Sequence, residues 1–183
     1  MTPSPLPPSG LRRIRRLALR VKALSLLGAL CLMLMPLLFW SQPDWVERVA
    51  REECHLGLMQ TDRPARLGGL AATLLPASMG LWAMWEIWAL FGCYARGELL
   101  AMRPARHLHR LGLTLVGLSA AMPLGHTLTV LALTLANPVG QRRFVFLVSS
   151  EHYLSLLFGL MLLALALVMR EAARVADENA EFV

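Results

Sequence analysis

Charged residues are scarce in this sequence, and acidic residues are scarcer than basic ones. Charged side chains make up 16% of 183 residues, against about 25% in soluble globular domains. Hydrophobic residues make up 56%, and the mean hydropathy is +0.53. This composition excludes an ordinary soluble domain. The apolar residues also occur in runs that are too long for soluble helices, so lipid is the expected solvent.

Cysteine is scarce as well, and recognisable catalytic motifs are absent. Cys31 lies in an apolar run, Cys54 in a polar loop and Cys93 at the end of another apolar run. No two of them share a compartment for a disulfide, and their spacing does not fit a metal site. The chain also lacks a paired-carboxylate helix, G-x-S-x-G, H-E-x-x-H and a phosphate-binding loop. We therefore predict no enzyme activity, no catalytic residue, no metal and no cofactor.

Four apolar spans are present, at about residues 23–40, 67–93, 111–136 and 153–169. The first has 18 uncharged residues with eight leucines, just enough to cross ~30 Å of hydrocarbon at ~1.5 Å per residue. A secretory signal is the alternative, but its apolar core would be shorter and an A-x-A cleavage site would follow. We therefore predict an all-α, integral membrane four-helix bundle over residues 23–170.

The segments outside the spans are proline-rich or charged. Residues 1–10 contain four prolines and are predicted to form a disordered tail. Residues 11–22 are predicted to form a basic juxtamembrane helix, because their apolar side chains recur every three or four positions. Residues 171–183 continue the last helix as a charged tail. A short helix lying on the outer surface is predicted after Pro43.

The basic residues predict the orientation of the chain. A net charge of +6 is compatible with a nucleic-acid binder, but the basic residues flank the spans and do not gather on one soluble face. We therefore predict no direct nucleic-acid binding and a lipid bilayer with anionic headgroups as the partner. Twelve Lys and Arg lie in the N-terminal arm, the middle loop and the tail, and six in the other two loops. The richer side is cytoplasmic, so both termini are predicted to face the cytoplasm (N-in/C-in).

The second span ends in aromatic residues surrounding one acid. Trp82, Trp85, Trp88 and Tyr94 are predicted to form an interfacial belt, because amphipathic rings collect at the boundary between hydrocarbon and headgroups. Stacking around a ligand is the alternative for the tryptophans. Glu86 is the strongest functional candidate, since ionisable residues in a bilayer are rare and usually face the bundle interior. Alternatively it reaches headgroup water or an arginine, or it is protonated.

The loop after this span begins with Arg96, Gly97 and Glu98. These residues suit a docking turn for a cytoplasmic partner. They also suit a helix end in which Gly97 supplies the left-handed cap. Both interpretations can hold together, so all three residues are functional candidates.

His126 lies deep in the third span and is a further candidate. It could bind haem or relay a proton, but haem needs a second ligand and no other histidine falls inside a span. Glu86 lies too near the inner boundary to form a proton pair with it. A hydrogen bond to a neighbouring helix is the expected role. Pro36, Pro76 and Pro123 predict kinked helices, which can frame a cavity or occur in a plain bundle.

Small residues recur every fourth position in the third span, at Gly117, Ala121 and Gly125. Such a stripe permits close backbone approach between membrane helices. We expect the stripe to face a neighbour, and a structural subunit of a larger complex would use it to contact a membrane partner. A homo-oligomer is a separate possibility.

Three short motifs resemble the signature of small bacterial membrane proteins catalogued as domain of unknown function 2975 (DUF2975). The signature comprises a leucine-phenylalanine pair, tyrosine-x-x-glycine-glutamate and arginine-(isoleucine or leucine)-glycine. Its counterparts here are Leu90 and Phe91; Tyr94, Gly97 and Glu98; and Arg110, Leu111 and Gly112. The charged last helix, ending at Val183, is also similar. The family tends to place a hydroxyl residue where this chain has Ala101, so the next helix is expected to lack a side-chain cap.

The resemblance implies four helices in a bacterial inner (plasma) membrane and no assigned activity. It also implies a partnership, because family genes often lie beside one for a short helix-turn-helix repressor of the phage Cro type. The leading hypothesis is therefore a non-enzymatic regulator or membrane partner of such a repressor. One alternative is a small proton-coupled transporter, exporter or resistance factor that uses Glu86. Another is a structural subunit of a membrane complex.

Overall fold

The protein is built from helices. A computed structural model describes residues 8–52, 61–98, 101–138, 142 and 144–181, and within these ranges it contains five helices and no strand. The helices are α1 (Pro8–Ser41), α2 (Pro43–Glu52), α3 (Arg63–Ala95), α4 (Met102–Thr134) and α5 (Ser150–Glu181). Most of the predicted disordered tail, together with Cys54 and Val183, lies outside the described residues.

Four of these helices are long and apolar enough to cross a membrane. The candidate spans in α1, α3, α4 and α5 contain 30, 33, 33 and 29 residues, and about 20 residues are enough to cross the hydrocarbon core. The predicted all-α membrane bundle is confirmed, and the chain is a multi-pass membrane protein by this criterion. The orientation of its termini stays a prediction.

The spans pack in the order α1, α3, α4, α5. Neighbours run antiparallel: Trp40, near the end of α1, donates a hydrogen bond to Thr73, near the start of α3, and Ser155 of α5 donates to the Leu115 carbonyl of α4. Among the described residues, α1 and α5 are not substantial neighbours of each other. They form the outer sides and turn mostly apolar side chains towards lipid, while α3 and α4 form the centre.

Helix α4 begins at Met102, nine residues before the predicted start of the third span. Pro104 lies in the first turn, where its missing N–H breaks no helical hydrogen bond. Ala105, Leu108 and Leu111 are buried at a spacing of three residues, so this basic segment still packs one face into the bundle. The arginines and histidines between them therefore lie on a helix and not in a loop.

Two other predicted boundaries fall inside continuous helices. Helix α1 runs without a break through both the predicted basic helix and the first span. Helix α5 likewise continues from its span into the charged tail. In that tail Arg174 forms salt bridges with Glu171 and Glu178, one turn away on either side. Such pairs stabilise a helix that has left the apolar region.

The two ends of the bundle differ. At one end, which we call the basic end, α1 and α4 begin and α3 and α5 finish. At the opposite end, α2 packs across the other helices. Its Val46 and Ala50, one turn apart, are buried against Trp40, Ala65 and Val130. The predicted surface helix is therefore present and buries one face on the opposite end.

Helices α4 and α5 cross at two glycines with their backbones nearly touching. A Cβ atom on Gly112 would lie 2.9 Å from the Gly159 carbonyl oxygen, and one on Gly159 would lie 2.8 Å from the Val116 nitrogen. Backbone atoms cannot move aside as a flexible side chain can, so only glycine fits at both positions. Gly112, the glycine of the arginine-leucine-glycine motif, is therefore required for the close packing of α4 against α5.

The stripe of small residues on α4 packs against α3 of the same chain. A Cβ on Gly117 would meet the Met79 methyl at 2.4 Å, and one on Gly125 would meet the Pro76 ring at 3.1 Å. Ala121, between them, is buried. The stripe therefore brings two spans of one chain together.

Candidate functional site

Glu86 is a buried carboxylate at the contact between α3 and α4. Its side chain is 1% exposed. Glu86 Oε2 lies 2.7 Å from His107 Nδ1, and Glu86 Oε1 lies 3.9 Å from Arg110 Nη1. A carboxylate removed from water is costly unless it is paired and hydrogen-bonded. These two partners supply that compensation, and Glu86 thereby links two spans.

Helical spacing brings the three side chains together. On α3, Glu86 lies between the buried residues Ala83 and Leu90, so it shares the face that packs into the bundle. On α4, His107 and Arg110 are three residues apart and lie on one face. One turn of α4 therefore presents both side chains to the same carboxylate.

A cavity of about 380 Å³ lies beside this contact at the basic end. We call it the basic cavity, and among the described residues that line it none is acidic. Its cationic lining comes from α1, from the residue that follows α3, and from α4: Lys22, Arg96, Arg103, Arg106 and Arg110. His107 lines the same cavity, so Glu86 lies directly behind the wall.

The cations of the cavity differ in how they are paired. Lys22 Nζ lies 4.1 Å from the centroid of the Trp88 ring, a cation–π contact that holds the ammonium in place. Arg96 Nε donates to Glu98 Oε1 over 2.8 Å. Arg103 and Arg106 are exposed, and within the described part of the chain neither forms a salt bridge. Arg103 does interact electrostatically with Glu98, but five cations line the cavity against the two carboxylates Glu86 and Glu98, so a net positive charge remains.

The turn at residues 96–98, which we call the Arg96–Glu98 turn, closes α3 with a left-handed glycine. Gly97 has φ 85°, a conformation that costs other residues about 1 to 2 kcal/mol. The Gly97 N–H bonds to the Tyr94 carbonyl and the Glu98 N–H to the Cys93 carbonyl. These two bonds form a Schellman motif, which satisfies carbonyls left open at the helix end.

Side chains brace the same turn. The Arg96 guanidinium, by its hydrogen bond, holds the pKa of the Glu98 carboxyl below its usual value. Arg96 Nη2 also lies 3.3 Å from the Cys93 sulfur. The following helix has Ala101 at its N-cap without a side-chain hydrogen bond, as the alanine there predicts. The turn is thus ordered by its own groups while Arg96 stays exposed.

The predicted aromatic belt lies on exposed surface. Trp82 and Trp85 are 53% and 58% exposed, and the rings of Trp85 and Trp88 stack with centroids 5.4 Å apart. Tyr94 packs edge-on against Phe91. Exposure to lipid and headgroups is what a belt requires, although the belt itself stays a prediction. Trp88 is the member that also lines the basic cavity.

His126 lies far from Glu86, near the opposite end. With Pro76 and Thr129 it lines a cavity of about 200 Å³ beneath α2. Pro76 precedes Glu86 by ten residues on α3, or about 15 Å of helix. The structure therefore pairs Glu86 with His107 and not with His126. Among the described residues, no three His, Cys, Asp or Glu side chains cluster as a metal site would require.

The three prolines do not line the basic cavity. Pro76 lines the cavity beneath α2, and Pro36 lines an adjoining apolar groove where α1 meets Trp45 of α2 and Thr73 of α3. The Pro123 carbonyl accepts a hydrogen bond from Thr127.

Sequence reasoning missed His107 as the partner of Glu86, because that segment was interpreted as a loop. A signal was available in the spacing of its side chains. Four basic side chains recur at intervals of three, one and three residues, which is one face of a helix: Arg103, Arg106, His107 and Arg110. A prediction that α4 begins before these residues would have placed them on a helix face, where they could contact Glu86 of α3.

Comparison with known protein families identifies the family of this chain. A family model described as protein of unknown function (DUF2975) matches residues 40–183, which include α2 to α5 and the Glu86–His107 contact. No curated protein matches the chain, and no solved structure does. Because the match covers well over half of the residues, the predicted resemblance is confirmed. The chain belongs to the DUF2975 family of proteins of unknown function.

Proposed function

We propose that this protein is a non-enzymatic regulator in the bacterial inner membrane that holds, or responds to, a cytoplasmic helix-turn-helix repressor of the phage Cro type. The observation that carries the proposal is the Arg96–Glu98 turn. It combines an ordered backbone with an exposed guanidinium and lies at the basic end. In the proposed orientation this end faces the cytoplasm, following the distribution of Lys and Arg.

The turn is preorganised for binding. Its backbone is held by the Schellman hydrogen bonds, and Arg96 and Glu98 hold each other through a salt bridge of 2.8 Å. The Arg96 side chain is nevertheless 56% exposed. Because the turn is already ordered, a partner that docks here immobilises little of its backbone. The entropic cost of binding is therefore low, which favours affinity.

Other polar groups extend the surface around the turn. The first turns of α1 carry exposed arginines, and α5 carries exposed acidic and basic residues at the same end. The opposite end is covered by α2, whose exposed ion pair joins Glu47 and Arg51. The opposite end also exposes charged side chains, but exposed arginines are more numerous at the basic end, which supports a partner on that side.

A capture experiment tests the proposal. The full-length protein, solubilised in detergent, is used to capture the helix-turn-helix repressor encoded beside its gene. We expect the Arg96→Ala, Glu98→Ala double variant to capture at least tenfold less repressor, since about 1.4 kcal/mol lost from a docking contact has this effect. The matched control is Glu47→Ala with Arg51→Ala, which removes an exposed ion pair at the opposite end. Equal capture by all three proteins, or none by the unaltered chain, contradicts the proposal.

A second candidate function is proton-coupled transport, and one observation favours it. Glu86 and His107 form an acid–base contact of 2.7 Å between two spans, behind the wall of a cavity. Buried ionisable pairs of this kind mark proton paths in membrane proteins. Against it, Met79 packs onto Gly117 between the basic cavity and the cavity beneath α2. Transport would therefore require α3 and α4 to separate at that level.

Efflux of ethidium from cells that express the protein tests this second function. Transport predicts that the unaltered chain lowers ethidium accumulation and that Glu86→Gln abolishes the effect, because the amide cannot release a proton. The control is Glu47→Gln, which changes an exposed carboxylate at the opposite end. An unaltered chain without efflux, or a Glu86→Gln variant with full efflux, excludes proton coupling through Glu86 for this probe.

A further inference from the structure

We propose that the basic cavity binds a phosphate group, and that its occupant is the headgroup of an anionic phospholipid. This inference goes beyond the proposed function, because it assigns a ligand to a cavity to which the Arg96–Glu98 turn contributes one side chain, Arg96. It rests on charge, on the placement of the cations and on the position of the cavity in the bundle.

The charge of the cavity is unbalanced. Five cationic side chains line it, whereas the carboxylates near them are two: Glu86, close to Arg110, and Glu98, which is bonded to Arg96 and also interacts electrostatically with Arg103. Arg103 and Arg106 form no salt bridge within the described residues. Like charges that line one cavity repel one another. An anionic ligand would relieve that repulsion.

The placement of the cations suits a phosphate group. They come from three separate parts of the chain and converge on one volume of about 380 Å³, which falls within the range of about 300 to 1,000 Å³ for ligand pockets. Arginine presents a planar fork of donors that matches phosphate oxygens in a bidentate arrangement. Arg103 and Arg106 also lie in the first two turns of α4, where the helix dipole adds positive potential.

The position of the cavity favours a lipid as the source of the phosphate. Lys22 immediately precedes the apolar run of α1, and its ammonium lies on the face of Trp88. Trp88 is 39% exposed on the outside of α3. Tryptophan and lysine together mark the headgroup level of a membrane protein. Basic pockets between spans at this level bind anionic headgroups, whereas a soluble phosphate would share the chemistry but would not need this location.

Lipid titration followed by native mass spectrometry tests the site. The full-length protein in neutral detergent is titrated with phosphatidylglycerol, with phosphatidylcholine and, separately, with inorganic phosphate. We expect one phosphatidylglycerol to be retained in preference to phosphatidylcholine. Because each basic residue near a headgroup strengthens binding by roughly fivefold, Arg103→Gln with Arg106→Gln should weaken it about 30-fold. The charge-conserving variant with lysine at both positions should bind more tightly than the glutamine variant but more weakly than the unaltered chain, because lysine keeps the charge and lacks the planar fork.

The matched control is Arg15→Gln with Arg16→Gln, which removes two exposed charges from α1 without touching the cavity. This control should bind phosphatidylglycerol like the unaltered chain. If both glutamine variants lost the same affinity for phosphatidylglycerol, the lipid would be attracted to the basic end as a whole. That result would overturn the proposal of a defined site. Undiminished binding in Arg103→Gln with Arg106→Gln overturns it as well. Binding of inorganic phosphate without binding of phosphatidylglycerol overturns the lipid assignment. Arg103 and Arg106 are unaltered in the repressor experiment, so the two proposals can fail separately.

Discussion

Glu86 and His107 lie 2.7 Å apart across the contact between α3 and α4, although 21 positions separate them in the chain. The acid is buried, whereas the imidazole also lines the basic cavity. The two side chains therefore connect the packed interior of the bundle with its polar end. This contact, three glycines and the charge distribution lead to four testable expectations.

The Glu86–His107 contact should contribute to stability as a pair. We expect His107→Ala and Glu86→Gln each to lower the free energy of unfolding by about 1 to 3 kcal/mol, because each leaves a buried polar group with fewer partners. The double variant should lose less than the sum, with a coupling energy of about 1 kcal/mol. Unfolding of the purified protein in mixed micelles, followed by circular dichroism, measures all three values. Strictly additive losses would show that the two side chains do not interact.

Two glycines of α4 should respond differently to a methyl group. Gly112→Ala brings a Cβ to 2.9 Å from a backbone oxygen of α5, whereas Gly117→Ala meets the flexible end of Met79. Overpacking against a rigid neighbour costs about 1 to 3 kcal/mol. We expect Gly112→Ala to lower the free energy of unfolding by that amount in the same micelle assay. Gly117→Ala should lower it clearly less. Equal losses would contradict the close backbone crossing of α4 and α5.

The left-handed turn should require its glycine. Gly97 has φ 85°, so Gly97→Ala should lower the free energy of unfolding by about 1 to 2 kcal/mol. The matched control is Gly92→Ala, one turn earlier, because Gly92 lies within α3 and a Cβ there makes only ordinary contact, at 3.7 Å from Arg96. This control should be neutral or stabilising, since alanine favours a helix interior. If Gly97→Ala left the free energy of unfolding unchanged and Gly92→Ala lowered it, the left-handed end of α3 would be contradicted.

The orientation can be tested with reporters. Green fluorescent protein folds in the cytoplasm and alkaline phosphatase is active outside it, so each reports one side of a bacterial inner membrane. We expect fluorescence from fusions at both chain ends and phosphatase activity from an insertion between Glu52 and Thr61. The physical reason is the excess of Lys and Arg on the predicted inner side. A single compartment reported at all three positions would show that α1 does not cross the membrane, and would contradict the four-span topology.

Local features of the sequence were sufficient for the architecture. An apolar run of about 20 residues can satisfy its backbone in lipid only as a helix, so length and hydropathy predict each span without knowledge of its neighbours. The family motifs were equally readable, and the match over residues 40–183 confirms them. The left-handed conformation of Gly97 was predictable for the same local reason, because glycine at a helix end tolerates positive φ.

The candidate site was only half predictable. Glu86 could be identified because an acid within an apolar span is rare, and an arginine was among its expected partners. His107 was not identified, because its role depends on where α4 begins and on which face α4 turns to α3. The pairing with His126 was rejected on helical rise alone, and in the structure the partner is His107.

The sequence by itself determined that this chain forms four membrane-spanning helices, that basic residues are concentrated on one side, and to which family it belongs. These properties depend on the composition of continuous stretches of the chain. They do not depend on contacts between residues that are distant in sequence. The tertiary structure alone decided that Glu86 meets His107, that Gly112 meets Gly159, and that cations from three parts of the chain line one cavity. Such contacts depend on the rotation and depth of each helix against the next, which packing determines and local composition does not.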